Sequence, residues 1–156
     1  MNRSEAISPH APSIVSIVNP LVRRLIGAGV PFGPNGLLTV RGRRSGEFHT
    51  FPVAILELGG RRFVQSPFGE VNWVLNLRAD GTAVLARGRT REEVVAVELA
   101  PEEAGPVLRD VLAPFLRMRI GAAYLGHYVH VRRDSPVEEF IEQGRTHPTF
   151  ELRRRA

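Results

Sequence analysis

The stretch LLTVRGRRSGEFHTFPVAI, residues 37–55, places a run of cationic side chains between two strongly apolar segments. The apolar segments predict strands over 37–42 and 49–58. Ser45-Gly46 is expected to supply the turn between them, because glycine adopts positive φ at little steric cost. The stretch therefore predicts a hairpin with arginines in its turn.

Beyond this hairpin, the chain alternates between short extended segments and a few helices. Further strands are predicted at 61–66, 82–88, 92–99 and 127–132. Gly59-Gly60 and Asp80-Gly81 mark two more tight turns. Because strands joined by such short turns pair antiparallel, we expect a largely antiparallel sheet.

Four segments show helical signals. Residues 13–30 carry an apolar stripe at helical spacing, and residues 71–79 form a short helix. Acidic residues in a first turn begin a longer helix over 101–118. Ser135 is predicted to cap the last helix, with Pro136 at its first position. Strands and helices together predict a small antiparallel barrel decorated by helices.

Length and composition indicate one domain. The chain has 156 residues, of which 43% are hydrophobic, which suits a single core. We assign residues 1–12 to a flexible N-terminal arm, 13–150 to the domain and 151–156 to a basic C-terminal tail. The absence of cysteine excludes disulfides and thiolate metal sites, and no secretion signal is recognised, so a cytoplasmic location is expected.

The charge of the chain favours an anionic partner. The net charge is +5 and the pI is about 11.1. All 21 basic residues are arginines, and they are scattered along the chain, so composition alone does not define a site. Arg43, Arg44 and Ser45 lie between two glycines, where their side chains and the backbone N–H groups could close on a phosphate or carboxylate. The alternative is a basic turn that only maintains solubility.

Three other residues are candidates for ligand contacts. Ser66 ends the strand at 61–66, where its hydroxyl or N–H group could meet a ligand. Trp73 and Asn76 are three residues apart and therefore share one face of the helix at 71–79. In the alternative interpretation, Ser66 only ends a strand and Trp73 belongs to the core.

Four motifs between Leu37 and Ala83 combine into a family resemblance: LLTVRGRRSG, FPVAI, QSPFG and NWVLNLRADG. Together they resemble the deazaflavin (F420)-dependent nitroreductase family, whose members are oxidoreductases with a flavin-reductase-like fold. The resemblance implies an α+β fold, a small antiparallel split β-barrel with flanking helices. It also implies that coenzyme F420 transfers a hydride to an electron-poor small molecule such as a quinone, a nitroaromatic or an activated enone. FMN is the alternative cofactor.

The resemblance further implies which residues form the site. Arg43, Arg44 and Ser45 would bind the acidic tail or the phosphate of the coenzyme, with Arg41 as a helper. Pro52 would lie near the ring system. The remaining coenzyme contacts would come from Ser66, Trp73, Asn76 and Arg78. The residues expected to polarise the acceptor or to relay a proton are Ser66 and Tyr124.

The sequence also departs from the family pattern. His49 and Phe51 occupy positions where many relatives have an arginine and an asparagine, and the loop between Ser66 and Trp73 is short. A non-catalytic split-barrel carrier of a flavin-like or apolar lipid ligand therefore stays open. In that interpretation the helix at 13–30 could contact the inner face of the membrane.

Other partners are less well supported by the sequence. Nucleic-acid binding is not expected, because the arginines follow no recognisable recognition helix. No metal site is expected either, because His127 and His130 would point to opposite faces of a strand at 127–132. A homodimer is expected by analogy with split-barrel proteins.

Overall fold

The computed structural model describes residues 35–119, 122, 126 and 130–156. The predicted arm at 1–12 and the predicted helix at 13–30 lie outside these residues. The strands are β1 (Gly36–Arg41), β2 (Phe48–Val53), β3 (Ile55–Leu58), β4 (Arg61–Gln65), β5 (Thr82–Arg87), β6 (Thr90–Glu98) and β7 (Thr149–Arg154). The helices are α1 (Asn72–Asp80), α2 (Pro101–Leu116) and α3 (Val137–Thr146).

The described strands form one antiparallel sheet in the order β2-β1-β5-β6-β7-β4-β3. Only Ala54 separates β2 from β3 in the chain, yet the two strands lie at opposite edges of the sheet. One stretch of chain thus joins both edges, and the sheet curls into a half-barrel. The predicted α+β split-barrel fold is confirmed.

Asn35 fixes the corner where β2 passes into β3. Its side-chain oxygen accepts a hydrogen bond from the Ile55 N–H group at 2.7 Å, and its Nδ2 group donates to the Ile55 carbonyl at 3.0 Å. The Asn35 N–H group donates to the Val53 carbonyl at 3.0 Å. Because buried backbone groups need partners, these bonds replace the sheet pairing that is interrupted at the corner. The strand predicted as continuous over 49–58 is therefore divided in two.

Helix α1 packs against the inner face of the curled sheet. Trp73, Val74 and Leu77 belong to the main core cluster, together with Phe150 from β7. The helix ends at Gly81, whose φ of 74° allows its N–H group to donate to the Leu77 carbonyl at 2.7 Å. These contacts give α1 a fixed position relative to the strands.

Helices α2 and α3 pack against each other outside the sheet. Gly105 makes this close approach possible, because a Cβ atom there would lie 2.4 Å from Ile141 Cγ1. The predicted cap of α3 is wrong: Pro136 precedes the helix, and Ser135 Oγ accepts a hydrogen bond from the Arg132 N–H group at 2.8 Å. In the described part of the chain, no helix is long and apolar enough to cross a membrane.

The C-terminal segment differs from its prediction. Residues 149–154 form β7, which lies between β6 and β4, so the assignment of 151–156 to a solvated tail is wrong for most of its length. Phe150 and Leu152 enter the core, and Glu151 is buried on the opposite face. The predicted strand at 127–132 is also wrong over 130–132, which are irregular, and its first three residues lie outside the described ones.

Candidate functional site

The turn between β1 and β2 has a defined shape. The Gly42 N–H group donates to the Glu47 carbonyl at 2.7 Å, and the Gly46 N–H group donates to the Gly42 carbonyl at 2.9 Å. Gly46 has the predicted positive φ, 75°. Ser45 Oγ accepts a hydrogen bond from the Glu47 N–H group at 3.2 Å. We refer to residues 41–47 as the basic turn.

The three arginines of the basic turn have no carboxylate partner among the described residues. Arg41 donates from Nε to the Gly46 carbonyl at 3.3 Å, and Arg43 donates from Nη1 to Asn76 Oδ1 at 2.7 Å. Arg44 is exposed and, in the described ranges, has neither a hydrogen bond nor an ion pair. Because carbonyl and amide oxygens are neutral, no acid from the described part of the chain cancels the guanidinium charges of this turn.

Asn76 of α1 contacts the basic turn from the protein interior. Its side chain is buried, and Oδ1 accepts hydrogen bonds from both the Arg43 backbone N–H group, at 3.2 Å, and the Arg43 guanidinium. The sequence predicted Arg43 and Asn76 as separate coenzyme ligands. The structure brings these residues together, although 33 positions separate them.

Ser66 and Trp73 lie inside the protein. Ser66 is fully buried, its hydroxyl donates to the Gly69 carbonyl at 2.6 Å, and its N–H group donates to the Pro148 carbonyl at 2.9 Å. Trp73 is 8% exposed and packs in the core with its ring centroid 6.1 Å from that of Phe150. Both residues have the structural contacts that the alternative interpretation expected, and their coenzyme contacts stay predictions.

Arg78 is already paired with acidic residues. It donates to Glu98 from Nε at 2.8 Å and from Nη2 at 2.7 Å, and it donates to Glu70 from Nη1 at 2.7 Å. Hydrogen bonding to Glu98, and then to Glu70, raises the pKa of Arg78 above its usual range. A coenzyme phosphate at Arg78 would have to displace these two carboxylates.

Pro52 lies on β2, an edge strand, opposite Leu37 of β1. An edge strand tolerates proline because the missing N–H group is not needed for pairing on the open side. Pro52 is exposed and its predicted position near the coenzyme ring is untested. Tyr124, the second predicted catalytic residue, lies outside the described residues.

A second arginine-rich region lies on strands β4, β6 and β7. We call it the arginine–glutamate network, and it consists of Arg61, Arg62, Glu92, Glu93, Glu151, Arg153, Arg154 and Arg155. Glu151 is its buried carboxylate: Arg61 donates to both carboxylate oxygens, at 2.8 and 2.9 Å, and Arg153 donates at 2.8 Å. Hydrogen bonds from Arg61 and then from Arg153 lower the pKa of Glu151 to about 2.

The rest of the network is paired in the same way. Glu92 binds Arg62 and Arg154, and the hydrogen bond from Arg62 lowers the pKa of Glu92. Arg155 pairs with Glu93 at 3.3 Å. These arginines are therefore occupied by acidic side chains of the same protein. Except for Arg153 and Glu151, which share β7, the partners lie far apart in the chain, so no local pattern predicted the pairing.

No group of histidine, cysteine or acidic side chains within the described ranges could hold a metal ion. The polar groups gathered at the basic turn are instead donors: guanidinium groups and a serine hydroxyl. Such a set is suited to a polyanion, since guanidinium groups bind phosphate and carboxylate oxygens through paired hydrogen bonds.

The fold is that of a split-barrel protein, and its basic turn gathers several hydrogen-bond donors. The sequence model of the F420H(2)-dependent quinone reductases matches residues 17–141. Because the match spans most of the chain, the protein belongs to the F420H(2)-dependent quinone reductase family. The family resemblance inferred from the four motifs is thus confirmed. No curated protein matches the chain significantly.

Solved structures share the fold at low sequence identity. A candidate 5-nitroimidazole antibiotic resistance protein from Bacteroides thetaiotaomicron has a TM-score of 0.51 and 8% identity, over 88% of this chain and 80% of that one. An F420-H2 dependent reductase, FDR-A, has a TM-score of 0.47 and 19% identity, over 75% of this chain and 91% of that one. A domain-swapped dimer also matches, with a TM-score of 0.47 and 19% identity, over 90% of this chain and 99% of that one. The homodimer expected for this protein stays a prediction.

Proposed function

We propose that the protein uses reduced F420 to reduce an electron-poor small molecule, such as a quinone, a nitroaromatic or an activated enone, and that the basic turn binds the acidic part of the coenzyme. One observation carries the proposal. Arg41, Arg43 and Arg44 have no carboxylate partner among the described residues, whereas Arg78 and the arginines of the arginine–glutamate network are paired. An unpaired cluster of guanidinium groups favours an anion from outside the protein.

The donors of the basic turn fit the phosphate and the oligoglutamate tail that the family resemblance implies. Each charge-assisted hydrogen bond from an arginine contributes about 1.5–3 kcal/mol. Ser45 uses a lone pair to accept from Glu47, so its hydroxyl hydrogen is left for a ligand oxygen. The exposed side chains of Arg44 and Ser45 are open to solvent and can receive such a ligand without a rearrangement of the core.

The coenzyme, when bound, supplies the hydride, and the residues of the chain bind and orient it. The basic turn holds the acidic part, and the core around α1 fixes the position of that turn. The proton that accompanies the hydride would come from Ser66 or Tyr124, or equally from water. Ser66 would have to give up its bond to the Gly69 carbonyl for this role.

A fluorescence titration with F420 tests the binding site. The variant Arg43→Ala/Arg44→Ala is expected to bind F420 more than about tenfold more weakly than the unaltered protein, because two charge-assisted contacts are lost. Added salt is expected to weaken F420 binding by the unaltered protein, and to weaken binding by the variant less.

The matched control is Arg87→Ala/Arg155→Ala. It removes the same two charges from exposed arginines that are paired with Glu57 and Glu93. We expect this control to bind F420 like the unaltered protein. Equal affinity in all three proteins would show that the basic turn does not bind the coenzyme.

Turnover separates the reductase from its alternative. The buried positions of Ser66 and Trp73 favour, as a second candidate, a split-barrel carrier that binds the coenzyme without catalysis. The protein is mixed with reduced F420 and menadione, and coenzyme oxidation is followed by fluorescence, with FMN as a parallel cofactor. Oxidation that depends on the protein supports the reductase, and binding without oxidation supports the carrier. Oxidation of reduced FMN, without oxidation of reduced F420, would mean that FMN is the cofactor of this protein.

A further inference from the structure

We propose that Asn76 is a positioning residue that holds Arg43 in place for the anion, and that it is not itself a coenzyme ligand. This inference rests on the proposed function of the basic turn. Asn76 Oδ1 accepts two hydrogen bonds from Arg43, one from the backbone N–H group at 3.2 Å and one from Nη1 at 2.7 Å. Both the main chain and the cation of one turn residue are thus fixed by a single side-chain oxygen.

The position of Asn76 is set by the protein core. Its side chain is 5% exposed, and its neighbours Trp73, Val74 and Leu77 on α1 belong to the main core cluster. Among the hydrogen bonds of the described residues, those from Arg43 to Asn76 are the ones that join the basic turn to α1. The helix therefore provides a rigid support for an otherwise exposed turn.

An amide oxygen suits this role because it is a neutral acceptor. The Arg43 guanidinium carries five N–H donors, and the bond from Nη1 leaves most of them, together with the full positive charge, for an anion. Arg78, two positions further along α1, shows the opposite arrangement: Glu98 and Glu70 hold its guanidinium and also neutralise it. The two positions differ in the charge of the acceptor.

Holding Arg43 in advance lowers the cost of ordering it when the ligand binds. A long side chain that is free before binding loses rotamer freedom in the complex, and a preorganised one has already lost it. We therefore expect Asn76→Leu, which removes the acceptor and keeps a side chain branched at Cγ, to weaken F420 binding about three- to tenfold. The rate at saturating coenzyme is expected to change much less than the coenzyme KM.

A double-mutant cycle tests whether Asn76 acts through Arg43. F420 affinity is measured for the unaltered protein, Asn76→Leu, Arg43→Ala and the double variant, with Tm recorded for each. If Asn76 is a positioning residue, Asn76→Leu weakens binding clearly in the unaltered protein and much less once Arg43 is alanine, because only the bond to the residue-43 backbone N–H group is then left for it to remove. An equal loss in both backgrounds would mean that Asn76 contacts the coenzyme or acts on the whole fold, and it would overturn the inference.

Asn76→Asp supplies a readout that a purely structural role would not change. A carboxylate keeps the acceptor oxygen and the fold, but it neutralises Arg43, so F420 affinity is expected to fall about tenfold at neutral pH and to recover as the carboxylate is protonated in acid. The other charged or titratable groups, Arg41, Arg44 and Glu47 of the basic turn and His49 next to it, are the same in both proteins. Comparison with the unaltered protein at each pH therefore isolates the new carboxylate.

The outcomes separate the inference from the proposed function. If Arg43→Ala leaves F420 affinity unchanged, Arg43 does not bind the coenzyme, so this part of the proposed function fails and the inference fails with it. If Arg43→Ala weakens binding while Asn76→Asp binds F420 as the unaltered protein does across the same pH range, only the inference fails. The Asn76→Asp arm also decides the question if Asn76→Leu does not fold.

Discussion

The basic turn and the arginine–glutamate network are both rich in arginine, but they use it differently. In the basic turn, Arg41 and Arg43 donate to neutral oxygens, and Arg44 has no partner among the described residues. In the network, acidic residues of neighbouring strands take up the arginines. A guanidinium group bound to a carboxylate stabilises the sheet, whereas one without such a partner is available to a ligand.

This difference explains why the overall charge was a poor guide to function. The net charge of +5 is a sum over both regions, and it does not tell which arginines are neutralised locally. Strand pairing decides which arginines are neutralised. The pairing of β7 with β6 brings Arg153, Arg154 and the following Arg155 next to glutamates of β6 and of β7 itself. The functional information lies in the clustering: among the described residues, the basic turn gathers three arginines that have no acidic partner.

Of the variants that test this difference between the two regions, the one at Glu151, the buried carboxylate of the network, is expected to have the largest effect. Glu151→Gln removes a buried carboxylate that accepts from Arg61 and Arg153, so the free energy of unfolding should fall by about 2 kcal/mol at neutral pH. Urea denaturation measures this loss. F420 affinity should not change, because β4, β6 and β7 are not paired with β1 or β2.

The same variant makes a prediction about acid. The pKa of Glu151 is lowered in the folded protein from 4.5 to about 2, so its ion pairs stabilise the fold above pH 4.5 and this contribution is lost as the pH falls towards 2. Glu151→Gln should lack this part of the acid dependence in urea denaturation. If Glu151→Gln loses stability in acid in the same way as the unaltered protein, Glu151 is not the cause of this pH dependence.

A smaller effect is expected from the acidic residue inside the basic turn. Glu47 forms no ion pair with a described residue, but its charge lies within the same turn as the three arginines. Glu47→Gln should strengthen F420 binding roughly two- to threefold, because a like-charged neighbour of the acidic ligand is removed. The gain should disappear at high salt. A weaker affinity would mean that the Glu47 carboxylate supports the shape of the turn.

The smallest effect is expected at an exposed pair that belongs to neither region. Arg87 and Glu57 form an ion pair with side chains that are 44% and 55% exposed. Glu57→Gln should change the free energy of unfolding by less than about 0.5 kcal/mol and leave F420 affinity unchanged. This variant creates another unpaired arginine outside the basic turn. A gain in F420 affinity would show that any free arginine can bind the coenzyme.

The parts of the fold that follow local rules could be predicted from the sequence. The hairpin of β1 and β2, its turn at Gly46 and the short helix α1 lie close to their predicted places. Each depends on a few neighbouring residues: apolar runs favour strands, and glycine permits the turn. The family resemblance depended on this same stretch, and it is confirmed.

The parts that depend on distant pairing could not be predicted. The last residues, read as a tail because of their three consecutive arginines, form a central strand, since Phe150 and Leu152 reach the core and β4 and β6 supply its partners. Arg78 of helix α1, predicted as a coenzyme ligand, is paired with Glu98 of strand β6. No local pattern records a partner 20 positions away.

The sequence by itself determined the family and the arginine-rich turn, because both depend on the identities of residues that are close together in the chain. Only the tertiary structure decided which arginines stay unpaired, and that the buried amide of Asn76 holds Arg43. The physical reason is that the availability of a charge depends on the acids brought near it, and strand pairing and the packing of α1 bring together residues far apart in the chain.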